Sequence, residues 1–346
     1  MDPRLTIDEM GYSHVLVGGV VYAGFAVESA ILELQREFEL RESDIVIATY
    51  PKCGTTWMQQ IVLTLLFGGD TSKVPEPMLQ APWLESMVSN YHHWAVQADL
   101  NGECRSLSEL KEWDGSSLRG EGPPGRRVFK THAPAQLAPW IGGPSAFKGK
   151  RKAIVVARNP KDACVSLFHH TQDGGPSFNY WGDFDHFVEK LFLKGNVESG
   201  CFWKWHAGWE KAAAENTNIL WISFEEMKAD PVHSVRKIAA FLEVPCSDEV
   251  VKNVVGASTF EVMKSRFEEI NQERFWEGKR FKANHIRRGG VGTWREELYG
   301  PLHDTFEAAH AAKSAELGLK FEWDFGEAEE TEATEEVCPT KRPRTS

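Results

Sequence analysis

Lys52, Gly54, Thr55 and Thr56 crowd into one turn of the segment TYPKCGTTW, residues 49–57. An ammonium, two hydroxyls and the free N–H groups that open a helix make a pocket for a phosphate-like anion. A polar helix cap with an incidental Lys is the simpler alternative, but four such residues in one turn after an apolar run favour the anion. The order is not that of a Walker A loop, GxxxxGK(S/T), because Lys52 precedes Gly54. A further cation, Arg158, closes the apolar run 153–157, where a magnesium-dependent nucleotide enzyme would set an Asp. The chemistry indicated is the handling of an anion by cations and amides.

Such a turn needs a strand before it and a helix after it. Residues 44–49 read as a short buried strand, and Met58, Ile61, Val62, Leu65 and Leu66 recur at helical spacing. Residues 153–157 repeat the pattern, with Asn159 as N-cap and Pro160 in the first helical position. A third strand is expected at 219–222, followed by a helix that opens at Asp230-Pro231 and sets Val235, Ile238, Ala239 and Leu242 on one face. Alternation of this kind predicts an α/β fold, a single domain with a central parallel β-sheet flanked by helices. Its ligands gather at the carboxyl ends of the strands. The Gly- and Pro-rich residues 115–125 are expected to form a surface loop.

Composition narrows the partners. The chain has 346 residues and a formal charge of −11, which argues against a general nucleic-acid binder. No apolar run reaches the roughly 18 residues of a membrane span, and no basic stretch followed by an apolar segment opens the chain. A cytoplasmic protein with no membrane partner is expected. Cysteines at 53, 104, 164, 201, 246 and 338 include no CxxC pair, so reduced thiols are expected rather than zinc or dithiol chemistry. Residues 326–337 hold six Glu and no basic residue, and Lys341, Arg342 and Arg344 follow. The domain is therefore expected to occupy 1–325, with 326–346 a disordered acidic and basic tail.

TYPKCGTTW resembles the 5'-phosphosulfate loop of the cytosolic sulfotransferases, which often carry Ser or Ala in place of Cys53. Five more segments resemble that family in its own order: RRVFKTHAP (126–134), VVARNPKDACVS (155–166), FEEMKADP (224–231), STFEVMK (258–264) and RRGGVGTW (287–294). Together they span most of residues 44–300. The resemblance implies a P-loop-like phosphosulfate loop, the donor 3'-phosphoadenosine 5'-phosphosulfate, no metal, and sulfuryl transfer to a hydroxyl or amine of a small molecule.

By the same resemblance, Lys52, Cys53, Gly54, Thr55 and Thr56 hold the 5'-phosphate, with Lys52 neutralising the leaving oxygen. Lys130 and His132 flank Thr131 after a strand-like segment and face the same side; His132 is the expected general base, since a neutral imidazole can take a hydroxyl proton near neutral pH. Arg158, Ser166, Arg287, Arg288 and Gly289 are expected at the 3'-phosphate, where guanidinium forks fit. Trp57 and Phe260 are expected against the adenine, with Ser258 and Met263 from the same segments, and Phe224 stands where the family usually has Tyr. The acceptor pocket draws on Trp83, Tyr22, Phe168 and Phe178, an aromatic set that fits a phenol, alcohol, sterol or amine. Family dimers often use a Thr-Val pair after the last motif; residues 295–300 lack it, which favours a monomer.

Two other classes share parts of this pattern. A P-loop nucleotide phosphotransferase would share strand, loop and helix but require Mg²⁺ and ATP. A non-catalytic nucleotide-binding regulatory module would not need Lys52, Lys130 and His132 together, because binding alone calls for no base. A Golgi-type carbohydrate sulfotransferase is disfavoured by the missing signal anchor.

Overall fold

The computed structural model describes residues 5–88, 106–116, 121–173, 178, 180–272, 275–276, 279–280 and 286–319. The acidic tail, Cys104, Cys338 and residues 117–120 of the Gly- and Pro-rich segment lie outside the described residues. Three strands, β1 (Thr6–Ile7), β2 (Ser13–Val17) and β3 (Val20–Ala23), form a small antiparallel sheet that the sequence reading did not foresee. The central sheet follows as β4 (Ile45–Thr49), β5 (Val128–Thr131), β6 (Lys152–Ala157) and β7 (Ile219–Ser223). Its order is β5-β4-β6-β7 and every pairing is parallel.

All residues of β4 and β6 are buried, as expected for parallel strands covered on both faces. Side chains alternate between those faces. Ile45, Ile47, Ile154, Val156 and Ile222 point into one core, shared with Met58, Ile61, Val62 and Leu65 of the Thr55–Leu66 helix and with Val235, Ile238 and Leu242 of the Pro231–Leu242 helix. Val46, Ala48, Phe129, Val155 and Ala157 point into the other, with Phe38, Trp205 and Trp209. Each face thus loses its apolar surface to helices, the main drive for the layered arrangement.

Register decides where the functional residues stand. Ala48 lies opposite Thr131, Thr49 opposite Val156, and Ala157 opposite Ser223. The four strands therefore end side by side, and Lys52, His132, Arg158 and Phe224 all follow within three residues of a strand end. At the opposite end, buried Arg127 donates from Nε to Asp44 Oδ1 at 2.9 Å, which ties the start of β4 to β5. The described cysteines, Cys53, Cys164, Cys201 and Cys246, are free thiols.

Candidate active site

A cavity of about 260 Å³ opens at the carboxyl ends of the sheet. The phosphate loop forms its floor. Lys52 and Gly54 have φ of 69° and 99°, the left-handed conformation that turns successive N–H groups toward one point. Glycine is required at position 54 for a second reason: an added Cβ would lie 2.9 Å from the Phe224 ring. Burial and the nearby charges of Arg158 and Lys130 push the Lys52 ammonium down to about 7, with Glu198 opposing them. An arriving dianion would favour its charged form. Thr55 Oγ1 lies 2.6 Å from Thr49 Oγ1.

His132 follows β5 and is 7% exposed. Its Nδ1 lies 2.8 Å from the carbonyl oxygen of Thr49. A carbonyl only accepts, so Nδ1 carries the proton and Nε2 keeps its lone pair. Burial, with Lys130 and Lys52 nearby, holds the imidazole well below its usual pKa and therefore neutral. The turn itself is fixed from several sides. Glu85 Oε1 accepts from Thr131 Oγ1 at 2.8 Å, His132 N at 3.1 Å and Ala133 N at 3.0 Å, while Trp205 Nε1 donates to the His132 carbonyl at 2.9 Å.

Trp83 forms a parallel bridge to Lys130 along the free edge of β5. Its ring lies 5.1 Å from the His132 ring and 4.9 Å from the Lys130 ammonium, centroid distances that suit an edge contact and a cation–π contact. Burial pushes Lys130 down to about 8, against the raising effect of Glu198 and Glu85.

Arg158 joins the two halves of the cation cluster. Its guanidinium donates to the Lys52 carbonyl at 2.8 Å and the Gly290 carbonyl at 3.1 Å, and lies 4.3 Å from the Phe224 ring centroid. Arg287 pairs with Glu297 at 3.2 Å, and Arg288 pairs with Glu296. Gly289 has φ of 63° and presses so closely on Phe260 that a side chain could not be accommodated. Trp57 and Phe224 meet edge to face at 5.2 Å. These rings and Phe260 form a slot beside the phosphate loop, suited to a flat base.

Asp162 pins the loop that carries the two arginines. Buried on the helix Pro160–Asp173, it accepts from Gly292 N at 2.7 Å, Thr293 Oγ1 at 3.1 Å and Trp294 N at 3.0 Å. Asp162→Ala is therefore expected to release that loop, weaken binding of adenosine 3',5'-bisphosphate about tenfold and lower stability by about 1–3 kcal/mol. Calorimetric titration beside a thermal melt checks both, and wild-type affinity would show that the loop holds its place without the carboxylate.

Most residues expected from sequence meet at this cavity. Lys52, Gly54, Thr55, Thr56, Trp57, Lys130, His132, Arg158, Ser166, Phe224, Ser258, Phe260, Met263, Arg287, Arg288 and Gly289 line it, as do Trp83 and Phe178. Three expected residues stand elsewhere. Cys53 points into the core at 0% exposure with its thiol pKa raised by burial, and its N–H donates to the Tyr50 carbonyl, so it offers the anion no side chain. Tyr22 packs with Val17, Ala26 and Ile31 off the lining, its hydroxyl near enough to Glu85 and Glu198 to feel their charge. Phe168 packs on Phe184 and Phe187 at 5.1 and 5.5 Å; it is two residues from Ser166, about 200° around the helix, so both cannot face one cavity.

The cavity also contains Glu198, Phe25 and His170, which the sequence reading missed. Nothing in their local sequence separates Glu198 from a surface Glu; only its burial at 3% does.

The family model described as a sulfotransferase domain matches residues 42–318. An amine sulfotransferase from Oryctolagus cuniculus is 30% identical over 308 residues, 87% of this chain and 90% of that protein. A luciferin sulfotransferase from Photinus pyralis is 32% identical over 284 residues, 77% of this chain and 69% of that protein. Mouse sulfotransferase SULT7A1, solved in complex with PAP, superposes with a TM-score of 0.65 at 26% identity, over 87% of this chain and 95% of that one.

Proposed function

The chain belongs to the sulfotransferase family and is an enzyme dependent on 3'-phosphoadenosine 5'-phosphosulfate, and we propose that His132 and Lys52 carry its transfer step. His132 Nε2 takes the proton of an acceptor hydroxyl as the oxygen attacks sulfur. The bond from sulfur to the bridging oxygen breaks, and Lys52 neutralises the charge that gathers on the departing 5'-phosphate. Lys130, two residues from the base on the same wall, adds positive charge for the sulfuryl oxygens in flight.

One observation supports this assignment above the others. The Nδ1 proton of His132 is held by the carbonyl of Thr49, the last residue of the strand that leads into the phosphate loop. The Thr49 carbonyl, with the Thr49 hydroxyl a further 3.2 Å from Nδ1, favours that tautomer and sets the imidazole near the loop proposed to hold the leaving group, a placement that supports in-line transfer.

Arg158, Arg287, Arg288, Ser166 and Gly289 would hold the 3'-phosphate of the donor, and the slot of Trp57, Phe224 and Phe260 its adenine. The remaining wall, with Phe25, Trp83 and Phe178, fits a small acceptor with a flat apolar body and a hydroxyl or amine. Among the described residues, no helix is long and apolar enough to cross a membrane.

Transfer of labelled sulfate from the donor to a panel of phenols, sterols, alcohols and amines tests this reading. Transfer should persist in excess EDTA, because lysines and helix N-terminal amides handle the leaving charge. A strict requirement for a divalent cation would overturn the assignment of Lys52.

A further inference from the structure

Six cations line the cavity, namely Lys52, Lys130, Arg158, Lys228, Arg287 and Arg288; among the described lining residues Glu198 is the only acid. Its side chain has no hydrogen bond or ion pair among the described residues, although it is 3% exposed and close enough to Lys130 and Lys52 for its charge to act on both. The backbone around it is held firmly. Glu198 N donates to the Tyr12 hydroxyl at 2.9 Å, Ser199 N to the Val21 carbonyl at 2.8 Å, and the Tyr50 hydroxyl to the Gly200 carbonyl at 2.8 Å. Ser199 adopts a φ of 68°, a left-handed conformation unusual for a residue with a side chain. Three clamps on three consecutive residues thus present one carboxylate to the cavity.

The carboxylate faces the cavity with no protein donor on its oxygens among the described residues, so a ligand group that brings a positive charge gains a charged hydrogen bond there. The sulfuryl donor carries no positive charge to supply it. The partner must come with the acceptor. Building on the sulfotransferase reading above, we infer that Glu198 binds the acceptor, and that the acceptor carries a cationic nitrogen apart from the hydroxyl that receives the sulfuryl group. The aromatic wall of Phe25, Trp83 and Phe178 holds the body between them, so the class is an aryl alkylamine with a free hydroxyl. Burial raises the carboxyl to about 7, with Lys130 and Lys52 opposing, and an ammonium beside it favours the ionised form.

The test is kcat/KM for phenols in matched pairs, one bearing a terminal amine and the other a methyl group in its place, on side chains of two to four carbons. Wild type should prefer the amine member of at least one pair about tenfold or more, the effect of one charged hydrogen bond. Glu198→Gln should abolish that preference, and Glu198→Asp should retain part of it. Absence of the preference in wild type at every chain length overturns the inference. Equal losses for both members in Glu198→Gln overturn it too, and would mark Glu198 as a charge balance for Lys130. Titration of adenosine 3',5'-bisphosphate into the same proteins reports on the donor site separately: no binding to wild type would remove the sulfotransferase reading itself, whereas binding with no amine preference removes only the role of Glu198.

Discussion

His132→Ala should lower turnover by about 10² to 10⁴, the usual effect of losing a general base, while adenosine 3',5'-bisphosphate still binds. The imidazole is neutral, its Nδ1 proton is fixed on the Thr49 carbonyl, and Nε2 remains the nitrogen able to accept. The variant should keep its fold, because the turn at 131–133 is held by Glu85, Trp205 and Trp209 through main-chain groups that the substitution leaves in place. The loss should therefore appear in kcat. Turnover near wild type would remove His132 from the proton transfer.

Adenosine 3',5'-bisphosphate should bind the wild-type enzyme about a hundredfold or more tightly than AMP, since two or three charged hydrogen bonds at roughly 1.5–3 kcal/mol each depend on the 3'-phosphate. Equal affinity in calorimetric titration would mean that the basic cluster serves something else. From sequence, Arg158, Arg287 and Arg288 read as bare charges waiting for a second anion, and Arg158→Ala would then spare ligands that lack it. The structure changes that expectation. Arg158 also holds the carbonyls of Lys52 and Gly290, so its loss should loosen the phosphate loop and weaken AMP as well. Arg287 and Arg288 are paired with Glu297 and Glu296; the 3'-phosphate must share or displace those carboxylates. Arg158→Ala should thus lower affinity for both nucleotides, and more for the bisphosphate.

Local order in the chain was enough for the parts of the site that lie within a few residues of a strand end. A buried strand, a turn of Lys, Gly and two Thr, and a helical repeat made the phosphate loop legible, because anion binding there uses main-chain N–H groups whose placement follows from the turn. Asn159 and Pro160 marked the next helix for the same reason, and the Asn159 side chain does accept from Lys161 N. The acceptor side was much less legible. Trp83 reaches the site by pairing with an edge strand 47 positions away in sequence, and aromatic residues are as common in cores as in pockets.

The amino-acid sequence by itself determined the α/β class, the loop and helix that receive a phosphate, the order of the family segments, and so the sulfotransferase identity. The fold class and the loop depend on short-range periodicity and turn chemistry, which act over a few residues, whereas the family identity rests on the resemblance of the six segments. Only the tertiary structure decided which strand ends stand together, that the His132 tautomer is set by Thr49, that Arg158 braces two loops, and that Cys53, Tyr22 and Phe168 are not part of the cavity lining. It alone brought Glu198 to the cavity, through hydrogen bonds of residues 198–200 with Tyr12, Val21 and Tyr50. Those outcomes depend on register and on packing between distant segments, where a rotation of one residue along a strand or two along a helix carries a side chain from the site into the core.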